Sequence, residues 1–219
     1  AMELAPRYFG RLPKAPCRVM PVEPFREADS PFAFYFSPTP DGARPGTYYV
    51  NAYDLPSRIF SRLASTTYHE SVPGHHFQIS IAQETALPLI RRIAGYNAYV
   101  EGWALYWEMR LWDMGYQTSP EDRIGALFWR MHRCARIIVT LNFHLGHMKP
   151  DEMVKFLVER VGHEKLGATS EVRRFIKGDY SPLYQCGYML GGLQFIALHR
   201  ELVASGKMSE RQFHDGILQ

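Results

Sequence analysis

Helix punctuation dominates this chain beyond Pro56 and restricts it to a mainly α class. Ser119-Pro120-Glu121-Asp122 supplies an N-cap, a proline at the first helical position and two acids in the first turn. That predicts a helix able to reach Gly146. Ser181-Pro182 repeats the start, with Gly206 as its stop, and Ser209 opens a last short helix. Over 97–114, Val100, Trp103, Ala104, Trp107, Leu111 and Met114 fall on one helical stripe that Gly115 ends.

Residues 1–56 read differently. They are rich in proline and aromatics, with two short extended runs, Phe32–Phe36 and Thr47–Val50. Turn signals lie between the runs, at Pro38, Pro40, Asp41-Gly42 and Pro45-Gly46. The expectation is a small antiparallel sheet packed on a helical part spanning 57–219, as one structural domain. Tyr49 and its neighbours over Thr47–Asn51 are candidates to bind an extended peptide by strand addition.

Composition excludes several classes. Apolar residues at 46% and charged residues at 21% suit a packed globular chain rather than a disordered one. A net charge of +3 is too weak to argue for nucleic acid or a membrane surface. No apolar run approaches the ~20 residues of a membrane span. Cys17, Cys134 and Cys186 are far apart and odd in number, which argues against a disulfide framework or a cysteine-rich metal site. Ala1 before Met2, leading straight into a Pro-rich stretch, suggests a chain that begins partway through a longer protein. No signal peptide opens it, so cytoplasmic and periplasmic locations both stay open, as does the oligomeric state.

The chemistry concentrates in Tyr68-His-Glu-Ser-Val-Pro-Gly-His-His-Phe77. In a HExxH helix two histidines one turn apart hold zinc, and the glutamate after the first activates water. Here the position four after His69 is Pro73, and the next histidines are His75 and His76. On a straight helix these lie ~9 Å and ~10.5 Å up the axis. Pro73 breaks the hydrogen-bond ladder and Gly74 tolerates unusual dihedrals. A kink there can loop out two residues and return His75 beside His69, with His76 the alternative. The competing reading is a set of ordinary histidines around a helix end.

A catalytic zinc site needs a third protein ligand. Glu101, in Val100-Glu-Gly-Trp-Ala-Leu-Tyr106, borders the apolar stripe, where an unpaired carboxylate is expensive. Either a metal compensates it, or an arginine such as Arg91 or Arg92 does. Glu108 shares its face and could support the ligands from behind. Arg133, Arg136, Thr140, His144 and His147 form a polar stripe along the helix after Ser119. That stripe is either a solvated face or the lining of a cleft that binds a substrate carboxylate or polarises a carbonyl.

These blocks resemble a known family, the bacterial domain-of-unknown-function family 885, whose members are regarded as zincin-like candidate metallopeptidases. The matching text is Asp41–Asn51, His69–His76, Val100–Tyr106, Arg133–Arg136 through His144, and Gly187–Gly191, in order along nearly the whole chain. The resemblance implies a gluzincin-like helical fold and a helical N-terminal region beyond this chain. It also implies His75 as second ligand, by analogy with the HExGH motif of oligopeptidases. Gly187, Gly191 and Gly192 strip bulk from around Tyr188, which either serves helix–helix packing or lets substrate approach a phenol that acts as oxyanion donor; the resemblance, through Tyr-x-x-Gly at 188–191, favours Tyr188 for that role, with Tyr184 in support or touching substrate.

The expected function is therefore a zinc-dependent hydrolase, in first place a metallopeptidase. Zn²⁺ would sit on His69, His75 and Glu101, Glu70 would be general base, Tyr188 and His144 would be catalytic, and Arg133, Arg136, Tyr184 and Tyr49 would bind substrate. A peptide or another small amide is the expected partner. The alternatives are a hydrolase of a non-peptide amide or ester, and a non-catalytic helical domain with structural histidines.

Overall fold

In the computed structural model, which describes residues 2–55, 59–178 and 180–219 apart from the side chains of Asp29, Arg92 and Ile93, helices dominate. The expected boundary at 56/57 and the side chain of Arg92 lie outside the described residues. In chain order the helices are α1 (Ala5–Tyr8), α2 (Leu63–Glu70), α3 (His75–Glu84), α4 (Leu89–Ile93) and α5 (Asn97–Asp113). They continue as α6 (Pro120–His144), α7 (Pro150–Phe156), α8 (Lys165–Ile176), α9 (Gly187–His199) and α10 (Glu210–Leu218). The strands are β1 (Cys17–Pro21), β2 (Ala33–Phe36) and β3 (Gly46–Val50).

Local chemistry explains several helix ends. The Ser119 hydroxyl accepts from the Asp122 amide at 3.0 Å and starts α6. Gly115 and Gly146, at φ +78° and +77°, adopt the left-handed conformation that stops α5 and α6. Ser209 and Gln212 form a reciprocal capping box on α10. The start at Ser181-Pro182 is later than expected: a 3₁₀ turn over Tyr184–Cys186 precedes α9.

The sheet corrects two expectations. It has three strands in the order β1-β3-β2, with β1 parallel and β2 antiparallel to β3. β1 carries no strong periodic signal, since four of its five residues are exposed. β3 lies in the middle with both edges already bonded, so the Thr47–Asn51 segment cannot take a peptide by strand addition. Tyr49 instead stacks on Phe34 at 5.1 Å with the Arg26 guanidinium 5.2 Å from its ring.

α5 is the central helix. Trp103 and Trp107 are fully buried and pack with Phe9, Phe77 and Phe213 into the main core, which ties α1, α3 and α10 to α5. On its other side α5 meets α9 through glycines: a Cβ at Gly102 would lie 2.6 Å from the Gly191 backbone. Gly102 and Gly191 therefore let the two backbones approach, and Gly192 packs against the Leu105 and Met109 side chains. A second core forms around Val139, Met153, Leu157, Val172 and Phe175, joining α6 to α7 and α8. Among the described residues no helix is long and apolar enough to cross a membrane.

Candidate metal centre

The site is built on a helix break. α2 ends at Glu70; Ser71 leaves the helical region at φ −108°, ψ −104°, and α3 begins at His75. Inside the break the Gly74 amide donates to the Tyr68 carbonyl at 3.1 Å, and the Trp103 indole N–H donates to the Pro73 carbonyl at 2.9 Å. A Cβ on Gly74 would stand 1.9 Å from the His69 carbonyl oxygen, so only glycine fits. The loop thus shortens the path from His69 to His75, whose ring centroids are 4.6 Å apart and nearly perpendicular.

α5 brings two carboxylates to the same place. Glu101 Oε2 lies 3.2 Å from His69 Nε2 and 3.2 Å from His75 Nε2. One ligand atom from each of the three lies within 4.8 Å of the other two, and all three residues are buried. Ligands ~2.0–2.1 Å from a tetrahedral zinc are about 3.3 Å from one another, so this donor set and spacing fit that ion. Glu108 Oε1 sits 2.7 Å from His69 Nδ1. A carboxylate there fixes the imidazole so that Nε2 faces the centre. His75 Nδ1 is buried with no hydrogen-bond partner among the described residues.

Electrostatics couple the group. Burial lowers the His69 pKa, but Glu101 and Glu108 outweigh it and raise it to about 9. Burial pushes the Glu101 carboxyl up, yet His75 and His69 hold it well below the usual carboxylate range. Among the described residues Arg91 does not neutralise Glu101; it donates to the Gln219 carbonyl at 2.7 Å.

The remaining candidates separate. Glu70 closes α2 beside His69 and is half-buried. His76 is turned away from the centre: its Nε2 donates to the Ala15 carbonyl at 3.0 Å and its Nδ1 lies 2.8 Å from the Tyr35 hydroxyl. Its neighbour His75 takes the inward direction because adjacent residues on a helix point about 100° apart. His144 is exposed at the end of α6, eleven residues and about 16 Å beyond Arg133, so it does not join the centre.

Tyr184 supports the ligands as expected, whereas the Tyr188 hydroxyl does not face the centre. The Tyr184 hydroxyl donates to Glu101 Oε1 at 3.0 Å. The Tyr188 ring lies parallel to His69 at 6.1 Å, and its hydroxyl points to Arg174, 3.4 Å from Nη2. Tyr184 lies in the 3₁₀ turn before α9, where the Asn97 side-chain amide of α5 donates to its carbonyl, and its ring meets that of Tyr188 edge-on at 6.1 Å.

The polar stripe on α6 is buried where it passes the site. Arg133 Nη2 is 3.4 Å from Glu108 Oε1, and Arg136 pairs with Glu171 at 2.6 Å. His132 stands 3.2 Å from Glu171 and 2.8 Å from His163 Nε2 through its other nitrogen. Glu171 and Arg174, both on α8, carry no motif or spacing that marks them in the sequence.

These features define a mainly helical protein with a small mixed sheet and a buried His-His-Glu cluster at a helix break. The chain belongs to the family described as "Bacterial protein of unknown function (DUF885)", whose model matches residues 1–219. It is similar to a "putative lipoprotein" from Colwellia psychrerythraea, with TM-score 0.92 and 32% identity, over 99% of this chain and 37% of that one. It is also similar to a "putative lipoprotein of unknown function" from Shewanella oneidensis, with TM-score 0.76 and 21% identity, over 99% of this chain and 40% of that one. The second likeness concerns the fold alone. The chain therefore spans about two fifths of the length of these two solved proteins. No curated protein matches it significantly.

Proposed function

We propose that this chain carries the hydrolytic centre of a zinc-dependent hydrolase, and that the hydrolase is a metallopeptidase. The observation that carries the reading is the convergence of His69, His75 and Glu101 in a buried cluster, with Glu108 behind His69. Two histidines and a glutamate suit a catalytic zinc with an open position. When bound, zinc would make a water molecule acidic near neutral pH and polarise a substrate carbonyl.

The chain's own residues supply the rest. Glu70, next to His69 and half-buried, takes the water proton and passes it to the leaving amine. Glu108 keeps the His69 tautomer and ring direction fixed. Tyr184 holds Glu101 Oε1, so that Oε2 stays turned to the histidines. The lipoprotein name of the Colwellia relative supports a location outside the cytoplasm.

Elemental analysis of protein purified without added metal tests the reading. About one zinc per chain is expected, with almost none in Glu101→Gln of equal helical content. No zinc in the wild type, and no uptake from added Zn²⁺, would leave a non-catalytic helical domain with a buried His–Glu network.

A further inference from the structure

Three guanidinium groups surround Tyr188, the ring that lies parallel to His69. Arg136 and Arg133 sit 4.5 Å and 5.1 Å from its centroid, and Arg174 Nη2 reaches its hydroxyl at 3.4 Å. Arg133 is paired with Glu108 and Arg136 with Glu171. Arg174 makes no ion pair among the described residues. Its guanidinium rests 4.9 Å from the Tyr180 ring, and its Nε is buried without an acceptor. Arg133 Nε and Arg136 Nη1 are also buried with no hydrogen-bond partner among the described residues.

Such an arrangement is costly unless something occupies it. A buried donor without a partner has lost its hydration with no bond to compensate it, and a charged one loses more. The three arginines face Glu101, Glu108 and Glu171, so a divalent ion on the ligands would leave the region positive. Tyr184, Tyr180 and Arg174 are all half-buried and run from Glu101 outward: Tyr184 touches Glu101, the Tyr180 and Tyr184 rings are 4.4 Å apart, and Tyr180 carries Arg174. That edge leads from the ligand cluster to a guanidinium that has no ion pair among the described residues. A planar guanidinium fork matches a carboxylate in two parallel hydrogen bonds.

We propose that Arg174, backed by Arg133 and Arg136, receives the terminal carboxylate of the substrate, so that the centre acts on the C-terminal end of a peptide. The assignment rests on the hydrolase reading above and names its substrate class. Tyr180 orients the guanidinium, and Tyr188 spaces it from His69. An amidated or internal segment brings no charge to this position and leaves Arg174 unpaired.

The test is calorimetric binding of N-acetyl-trialanine and of its C-terminal amide to the whole chain, with and without zinc, in wild type, Arg174→Gln and Arg174→Lys. The free acid should bind the zinc-loaded wild type at least ten-fold more tightly than the amide. Arg174→Gln should abolish the preference while keeping zinc content and helical signal, and Arg174→Lys should retain part of it. Equal binding of acid and amide, no binding of either, or a preference that survives Arg174→Gln overturns the subsite, even if one zinc is bound. A preference that depends on Arg174 in a protein that takes up no zinc keeps the subsite and overturns the hydrolase reading instead. If Arg174→Gln does not fold, the lysine variant decides: an undiminished preference for the acid overturns the assignment.

Discussion

The Tyr184 hydroxyl donates to Glu101 Oε1 at 3.0 Å, on the carboxylate oxygen opposite the one His69 and His75 share. A hydrogen bond at that position orients the carboxylate without competing for its ligand oxygen. Tyr184→Phe is therefore expected to weaken zinc binding by roughly 10-fold or more. Tyr188→Phe, which removes only a contact with Arg174, should leave zinc affinity near wild type. Competition with a chelator of known affinity separates the two. Equal loss in both variants would contradict the assignment.

Glu108 works on the other side of His69, 2.7 Å from Nδ1. Glu108→Gln should lower zinc affinity roughly 10–100-fold. It also leaves the buried Arg133 without its carboxylate, and breaking such a pair costs about 3–5 kcal/mol. Zinc titration and denaturant unfolding should thus both move. A variant with unchanged zinc affinity would remove Glu108 from the centre.

Glu70→Gln keeps shape and removes the base. Zinc content and unfolding midpoint should stay at wild-type values. Hydrolysis of a peptide found to be a substrate should fall by roughly 10² or more. Turnover near wild type in this variant would exclude Glu70 as the proton acceptor.

Gly74 admits no side chain, because a Cβ would meet the His69 carbonyl at 1.9 Å. Gly74→Ala must push α2 and α3 apart at the break. Overpacking against backbone costs about 1–3 kcal/mol or more. The His69–His75 approach should be lost with it, so zinc uptake and melting temperature should fall together. A Gly74→Ala protein that binds zinc normally would show that the break does not set the ligand spacing.

Acid should destabilise the fold through His214. This imidazole is fully buried; its Nδ1 donates to the Tyr8 carbonyl, and its Nε2 accepts from the Tyr106 hydroxyl at 2.8 Å. Burial, only partly offset by Glu210, drives its pKa down to about 4. An unfolded histidine titrates near 6.5, so the unfolded chain binds the proton first as pH falls. The stabilisation is fully present above about pH 6.5 and is lost between there and about pH 4. The loss amounts to about 3 kcal/mol, at 1.36 kcal/mol per pKa unit. Unfolding midpoints at pH 7 and pH 4.5 for wild type and His214→Gln check this: the variant, less stable at pH 7, should show a shallower acid slope. Parallel slopes would mean that His214 does not titrate in this range.

Local chemistry was legible in the residues because it acts over a few positions. The Ser119 cap, the glycine stops at 115 and 146, the Ser209 capping box and the break at Pro73-Gly74 each depend on neighbours within one turn. The broken spacing also pointed to His69 with His75 or His76, the family resemblance favoured His75, and Glu101 stood out as a carboxylate bordering an apolar stripe. Whatever depends on partners far along the chain required the tertiary structure. β1 could join parallel to β3 only once the chain between them had turned, which put β3 in the middle and removed its free edge. Burial of the first half of the α6 stripe, and exposure of its end at His144, followed from where α5 and α8 happen to pack. Packing of the turn before α9 on α5, where the Asn97 amide donates to the Tyr184 carbonyl, accompanies the contact of Tyr184 rather than Tyr188 with Glu101, and a contact between residues so far apart leaves no mark in their spacing.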